Sequence, residues 1–111
     1  MPIYNAPLRD QRFVLFELLD SENELKSLPP FAEVDADTIN AVLEEGARFA
    51  SQVVHPLNVI GDKEGCRYEG DGVVSTPTGF KEAYRQYVDG GWPALSADPA
   101  YGGQGLPIIL N

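Results

Sequence analysis

A chain of 111 residues, 43% apolar and 23% charged, can build one modest core and is neither a disordered polymer nor a membrane protein. Seventeen acidic against eight basic residues leave a formal charge of −9, which repels phosphate backbones and excludes nucleic acid as a partner. The single Cys66 excludes a disulfide framework, and Met1-Pro2-Ile3-Tyr4 has neither the basic nor the apolar region of a secretory signal, so the expected compartment is cytoplasmic.

The first element expected is a helix over Arg12-Phe13-Val14-Leu15-Phe16-Glu17-Leu18-Leu19, apolar at six of its eight positions. A short helix apolar nearly all round is normally buried on several sides. The run Asp20-Ser21-Glu22-Asn23-Glu24 ends it, and Leu28-Pro29-Pro30-Phe31 reads as an extended connector that no helix crosses.

The second helix is the clearest. Asp35 or Asp37 caps it, and Ile39, Val42, Leu43, Gly46, Ala47, Ala50, Val53, Val54 and Leu57 form one apolar stripe. Asn40, Glu44, Arg48, Ser51 and His55 lie mostly off that stripe, and Pro56 marks either the last turn or a kink.

Between residues 61 and 76 glycines punctuate two short β-like runs. A hairpin turning at Gly70-Asp71-Gly72 and an irregular excursion are both compatible with arms of three or four residues. Thr76-Pro77 then reads as the cap and first position of a third helix, ended by Gly90-Gly91. Its stripe of Phe80, Ala83, Tyr84, Tyr87 and Val88 is read as core packing rather than as a stacking platform for bases or a cofactor.

Motifs that carry chemistry are few. Asp35-Ala36-Asp37 and Asp62-Lys63-Glu64-Gly65 each begin a calcium-loop pattern and abandon it, so no metal ligands are assigned. Gly103-Gln104-Gly105 and Gly70-Asp71-Gly72 lack the third glycine of a dinucleotide loop. Glu44-Glu45 belongs to a solvated helix face, and Cys66 with His55 reads as a bystander thiol and a surface imidazole. No complete catalytic set is assembled.

The most distinctive stretch is Trp92-Pro93-Ala94-Leu95-Ser96-Ala97-Asp98-Pro99-Ala100-Tyr101-Gly102-Gly103-Gln104-Gly105-Leu106-Pro107. Such a density of Trp, Tyr, Gly and Pro means a shaped loop with buried contacts. Pro107-Ile108-Ile109-Leu110 reads as the first turn of a further element, so the chain reads as cut short.

That loop resembles the one joining helices in the N-terminal domain of acyl-CoA dehydrogenases. Upstream, Tyr4-Asn5-Ala6-Pro7-Leu8-Arg9-Asp10-Gln11-Arg12-Phe13-Val14-Leu15 and Pro77-Thr78-Gly79-Phe80-Lys81-Glu82-Ala83-Tyr84 are similar to the branch with an N-terminal extension, which includes 3-(methylthio)propanoyl-CoA dehydrogenases.

The resemblance implies an all-α fold, a partial N-terminal helical bundle of about three main helices with the excursion near 61–76. It divides the chain into an extension over residues 1–34 with one apolar helix and a truncated N-terminal helical domain over 35–111. The parent would desaturate acyl-CoA thioesters with FAD and an electron acceptor. The catalytic base and most flavin contacts of the family lie in other domains, so no catalytic or cofactor-binding residue carries over and no FAD is expected on this chain alone.

Only Tyr101, Gly102, Gly103, Gln104, Gly105 and Leu106 carry over, as a loop facing the substrate region, with a turn pinned by Trp92 as the simpler reading. Expected partners are the rest of the parent enzyme or other copies of this chain, as a homo-oligomer, with no membrane span. The alternative is a stand-alone helical interaction module derived from the same domain; a small enzyme using Cys66 is the third reading.

Overall fold

The computed structural model describes residues 3–111. Helix α1 starts at Leu8–Arg12 and widens into a π-helical stretch, Phe13–Leu18, at whose end the Leu19 N–H donates to the Val14 carbonyl five residues back. Asp20 then adopts a left-handed conformation (φ 47°) that breaks the helix. A second short helix, α2 (Ser21–Lys26), comes at once. The Asn23 amide donates to the Asp20 carboxylate at 3.0 and 3.1 Å, and Lys26 pairs with Glu22 one turn away at 3.1 Å. The acidic stretch expected only to end the first helix therefore also starts the next. The connector after it is not fully extended either, because Pro29–Phe31 closes a 3₁₀ turn.

Asp35, not Asp37, caps α3 (Ala36–Phe49): its backbone is extended, and its carboxylate accepts from the Thr38 N–H at 2.8 Å and the Thr38 hydroxyl at 2.9 Å. The helix runs on through a π turn, Ala50–Val54, into α4 (His55–Glu64). Pro56 thus neither ends the rod nor sits in its last turn. The wider turn just before it, in which the His55 N–H donates to the Ala50 carbonyl, relieves the clash of a mid-helix proline ring with the preceding turn.

Strands β1 (Arg67–Gly70) and β2 (Val73–Ser75) pair antiparallel, with Tyr68 opposite Val74 and a bulge before Gly70. Asp71 and Gly72, at φ 52° and 78°, supply the two left-handed positions of a tight hairpin turn. Helix α5 (Phe80–Asp89) begins at the left-handed Gly79 rather than at Thr76-Pro77. The Thr78 N–H is already bound to the Glu64 carboxylate at 2.7 Å, so Thr78, just after the Thr-Pro pair, tethers the approach to α5 to the end of α4.

The core is Leu15, Leu25, Val34, Ile39, Leu95 and Leu110, flanked by Phe16, Phe31, Val42, Leu43, Trp92 and Leu106. Among the described residues only the Ile39 side chain is fully sealed from solvent. Arg12 clamps α1 to α3 by donating to Asn40 at 2.8 Å and to Glu44 at 2.6 Å. The first helix is left with an apolar patch, as its all-round apolar character implies, whereas the reading of the α5 stripe as core packing fails. In α1 only Leu15 is buried, while Phe13, Val14, Leu18 and Leu19 face solvent. In α5 no residue is buried, and Phe80, Tyr84, Tyr87 and Val88 are exposed. Both stripes are apolar as read, but no layer among the described residues covers them.

Its dimensions agree. The radius of gyration is 17.5 Å, against about 13 Å for a compact domain of this length.

Candidate functional site

The loop singled out in the sequence is a rigid strap. After 3₁₀ turns at Trp92–Ala94 and Pro99–Tyr101, the backbone doubles back on itself. The N–H groups of Gly103, Gln104, Gly105 and Leu106 donate to the carbonyls of Asp98, Ala94, Ala97 and Leu95 at 2.9–3.0 Å. A Cβ at Gly103 would lie 2.0 Å from the Ala97 carbonyl oxygen, so only glycine permits the crossing. At the strap's start, a Cβ at the left-handed Gly91 would lie 2.0 Å from the Gln104 amide. Trp92 packs on Gly46 of α3 and on the Phe49 ring, whose centroid is 6.3 Å away.

The six residues assigned to the loop separate by role. Gly103 and Gly105 shape the strap, Gln104 covers Gly91, and Leu106 joins the core. Tyr101 does the opposite: it is 90% exposed on a turn held by the Asp98 carboxylate, which accepts from the Ala100 N–H at 2.8 Å, and by the left-handed Gly102.

A second feature was not legible in the sequence. The π turn inserts one residue and rotates the α4 half of the rod by about 100°. His55, expected off the apolar stripe, therefore turns with Val54 and Leu57 into a groove of about 910 Å³ between the α3–α4 rod and α5. Tyr4, Phe49, Phe80, Ala83, Tyr84 and Tyr87 complete its apolar walls, with Asp62 the one carboxylate among the lining residues and no Lys or Arg. Tyr4 lies against His55 with ring centroids 5.9 Å apart, and Phe49 meets Tyr87 at 6.2 Å. Gly61 lets the Phe80 ring approach, since a Cβ there would stand 2.7 Å from it. Cys66 lies exposed at the same groove.

Two carboxyls are held by local hydrogen bonds. Hydrogen bonds from the Thr38 backbone and side chain hold the Asp35 carboxyl below the ordinary carboxylate range, and those from Thr78 do the same for Glu64. Among the described residues no cluster of His, Cys, Asp and Glu could hold a metal ion, and no helix is long and apolar enough to cross a membrane. The strap offers nothing to a pyrophosphate either, because its amides from Gly103 to Leu106 are all bound to backbone carbonyls.

No protein-family model matches the chain. Among curated proteins it is 42% identical over 108 residues to 3-methylmercaptopropionyl-CoA dehydrogenase of Ruegeria pomeroyi, 32% over 108 residues to a broad-specificity linear acyl-CoA dehydrogenase of Mycobacterium tuberculosis, and 29% over 109 residues to butyryl-CoA dehydrogenase of Syntrophomonas wolfei. Each match takes in 96–97% of this chain and 18% of the relative. The chain thus spans about a fifth of the length of the relatives it matches, and the helices, hairpin and glycine strap all fall inside the matched stretch. Over that stretch the chain matches the N-terminal portion of these acyl-CoA dehydrogenases.

Proposed function

We propose that this chain is the N-terminal helical portion of an FAD-dependent acyl-CoA dehydrogenase, which desaturates an acyl-CoA thioester between Cα and Cβ. The observation that carries the reading is 42% identity to such an enzyme over 97% of the chain. Within the proposal, residues 1–34 are the extension and 35–111 the start of the N-terminal domain. The whole enzyme works in the cytoplasm with an acyl-CoA substrate and an electron acceptor, as a homo-oligomer.

FAD belongs to the whole enzyme, where it would take up hydride from the substrate. The residues of this chain do not supply its site. Their contribution is scaffolding: the strap fixes Tyr101 through Leu106 as a rigid surface, and we assign that loop to the side facing the substrate region. Tyr101 is the residue with area to offer there, since Leu106 is committed to the core.

The test is the intact mass and visible absorbance of the product of the native gene, purified from its native cells. A yellow protein several-fold heavier than 12.1 kDa that reduces an electron acceptor in the presence of acyl-CoA supports the reading. A colourless product of 111 residues overturns it in favour of the helical interaction module.

A further inference from the structure

An aspartate followed by glycine leaves its side-chain carboxyl open to attack by the next backbone nitrogen, because glycine has no Cβ to shield that nitrogen. The chain has two such pairs, Asp71-Gly72 in the hairpin and Asp89-Gly90 at the end of α5. All four residues are exposed, yet the backbone holds the two pairs differently.

Asp89-Gly90 is fastened. The Gly90 N–H donates to the Gln86 carbonyl at 2.9 Å and the Gly91 N–H to that of Val88 at 2.9 Å. The Trp92 ring covers Gly90, standing 3.0 Å from where a Cβ would lie. Attack at Asp89 must unwind the last turn of α5 and lift Trp92. At Asp71-Gly72 both residues are left-handed, at φ 52° and 78°, between strands of four and three residues. The Gly72 N–H donates to the exposed Tyr68 hydroxyl at 3.2 Å, and nothing beyond its chain neighbours lies within 4 Å of a Cβ position at Gly72. A two-stranded ribbon of this length is marginal in water, so the turn opens without disturbing the core.

We infer that Asp71-Gly72 is a modification site at which the chain converts to isoaspartate, with the Tyr68 hydroxyl restraining the attacking nitrogen. When the turn opens, the Gly72 nitrogen bonds to the side-chain carboxyl carbon of Asp71. The proton of that nitrogen and the carboxyl hydroxyl leave as water, and a succinimide remains. Water then adds at the former backbone carbonyl of Asp71 and the bond from that carbon to the Gly72 nitrogen breaks. The product has its original mass, a free α-carboxylate and one more carbon in its backbone. That extra carbon ends the two-residue turn that sets Tyr68 opposite Val74. This chemistry belongs to the turn alone and is independent of the enzyme reading.

The test ages the full product of the native gene at neutral pH, folded and in urea. Its tryptic peptides beginning at Tyr68 and at Gln86 carry one pair each, and electron-transfer fragmentation distinguishes isoaspartate from aspartate in them. In the folded protein isoaspartate should gather at position 71 about 10-fold faster than at 89, reflecting the easier local opening; in urea the two rates should be similar. Tyr68→Phe should speed the reaction at 71 in the folded protein about fivefold, the worth of one modest hydrogen bond, and leave 89 unchanged. Absence of isoaspartate at 71, a 71-to-89 ratio that is the same folded and in urea, or a Tyr68→Phe rate equal to that of the unsubstituted protein overturns the inference.

Discussion

The two ends of the long α3–α4 rod are held in different ways. At its N-terminal end, Ile39 is sealed by Leu15, Leu25, Val34, Leu95 and Leu110, so segments far apart in sequence meet at one point. At its C-terminal end, α4, the hairpin and α5 bury almost nothing. They are joined by the Glu64–Thr78 bond and by the approach of Phe80 to Gly61. Both regions have apolar stripes of similar quality. What separates them is supply: among the described residues the first region finds its covering elements, and the second does not.

That contrast can be broken most severely at Ile39. Ile39→Ala truncates a fully buried large side chain and should cost about 2–5 kcal/mol in urea unfolding, a large share of the stability of so small a core. Gly103→Ala comes next. Its Cβ would meet backbone rather than a movable side chain, so the strap must open, at a cost of about 1–3 kcal/mol. Loss of Trp92 fluorescence order would accompany it.

On the other side of the comparison, Tyr84→Ser in the 111-residue chain should change stability by no more than about 0.5 kcal/mol, because the ring is two-thirds exposed. The same substitution in the full product of the native gene should be clearly destabilising, and equal effects in the two settings would erase the distinction. The smallest effect is on pH dependence. The carboxyls of Asp35 and Glu64 titrate below their ordinary range, so the unfolded chain binds their protons first. Their contribution is complete above the ordinary carboxylate pKa of about 4 and is lost as pH falls through the lowered folded values. Glu64→Gln should flatten part of the acid limb of a stability-against-pH curve and leave neutral pH little changed in slope.

The sequence made helices α3 and α5 legible through their stripes, the Asp35 cap through its type and place, and the strap through its Trp, Gly and Pro density. The hairpin was visible as one of two readings, resolved by the left-handed Asp71 and Gly72. Three features were hidden. Asp20 carries no mark of the left-handed turn that converts a helix stop into a helix start. The π turn before Pro56 leaves no periodic signal, yet it decides that His55 faces the groove. Thr76-Pro77 has the form of a helix start, but Glu64, fourteen residues upstream of Thr78, takes the amide such a start would leave free. Burial also misled at α5, for a physical reason: a stripe reports that a face needs covering and says nothing about what provides the cover.

The most direct test is residue-resolved hydrogen exchange of the 111-residue chain at neutral pH. The account predicts slow exchange for the amides around Ile39 and for those of Gln104 and Leu106 in the strap, with α5 and the hairpin exchanging orders of magnitude faster through local opening. Equal protection of α5 and the strap would contradict it, because the face between α4 and α5 would then be stable uncovered.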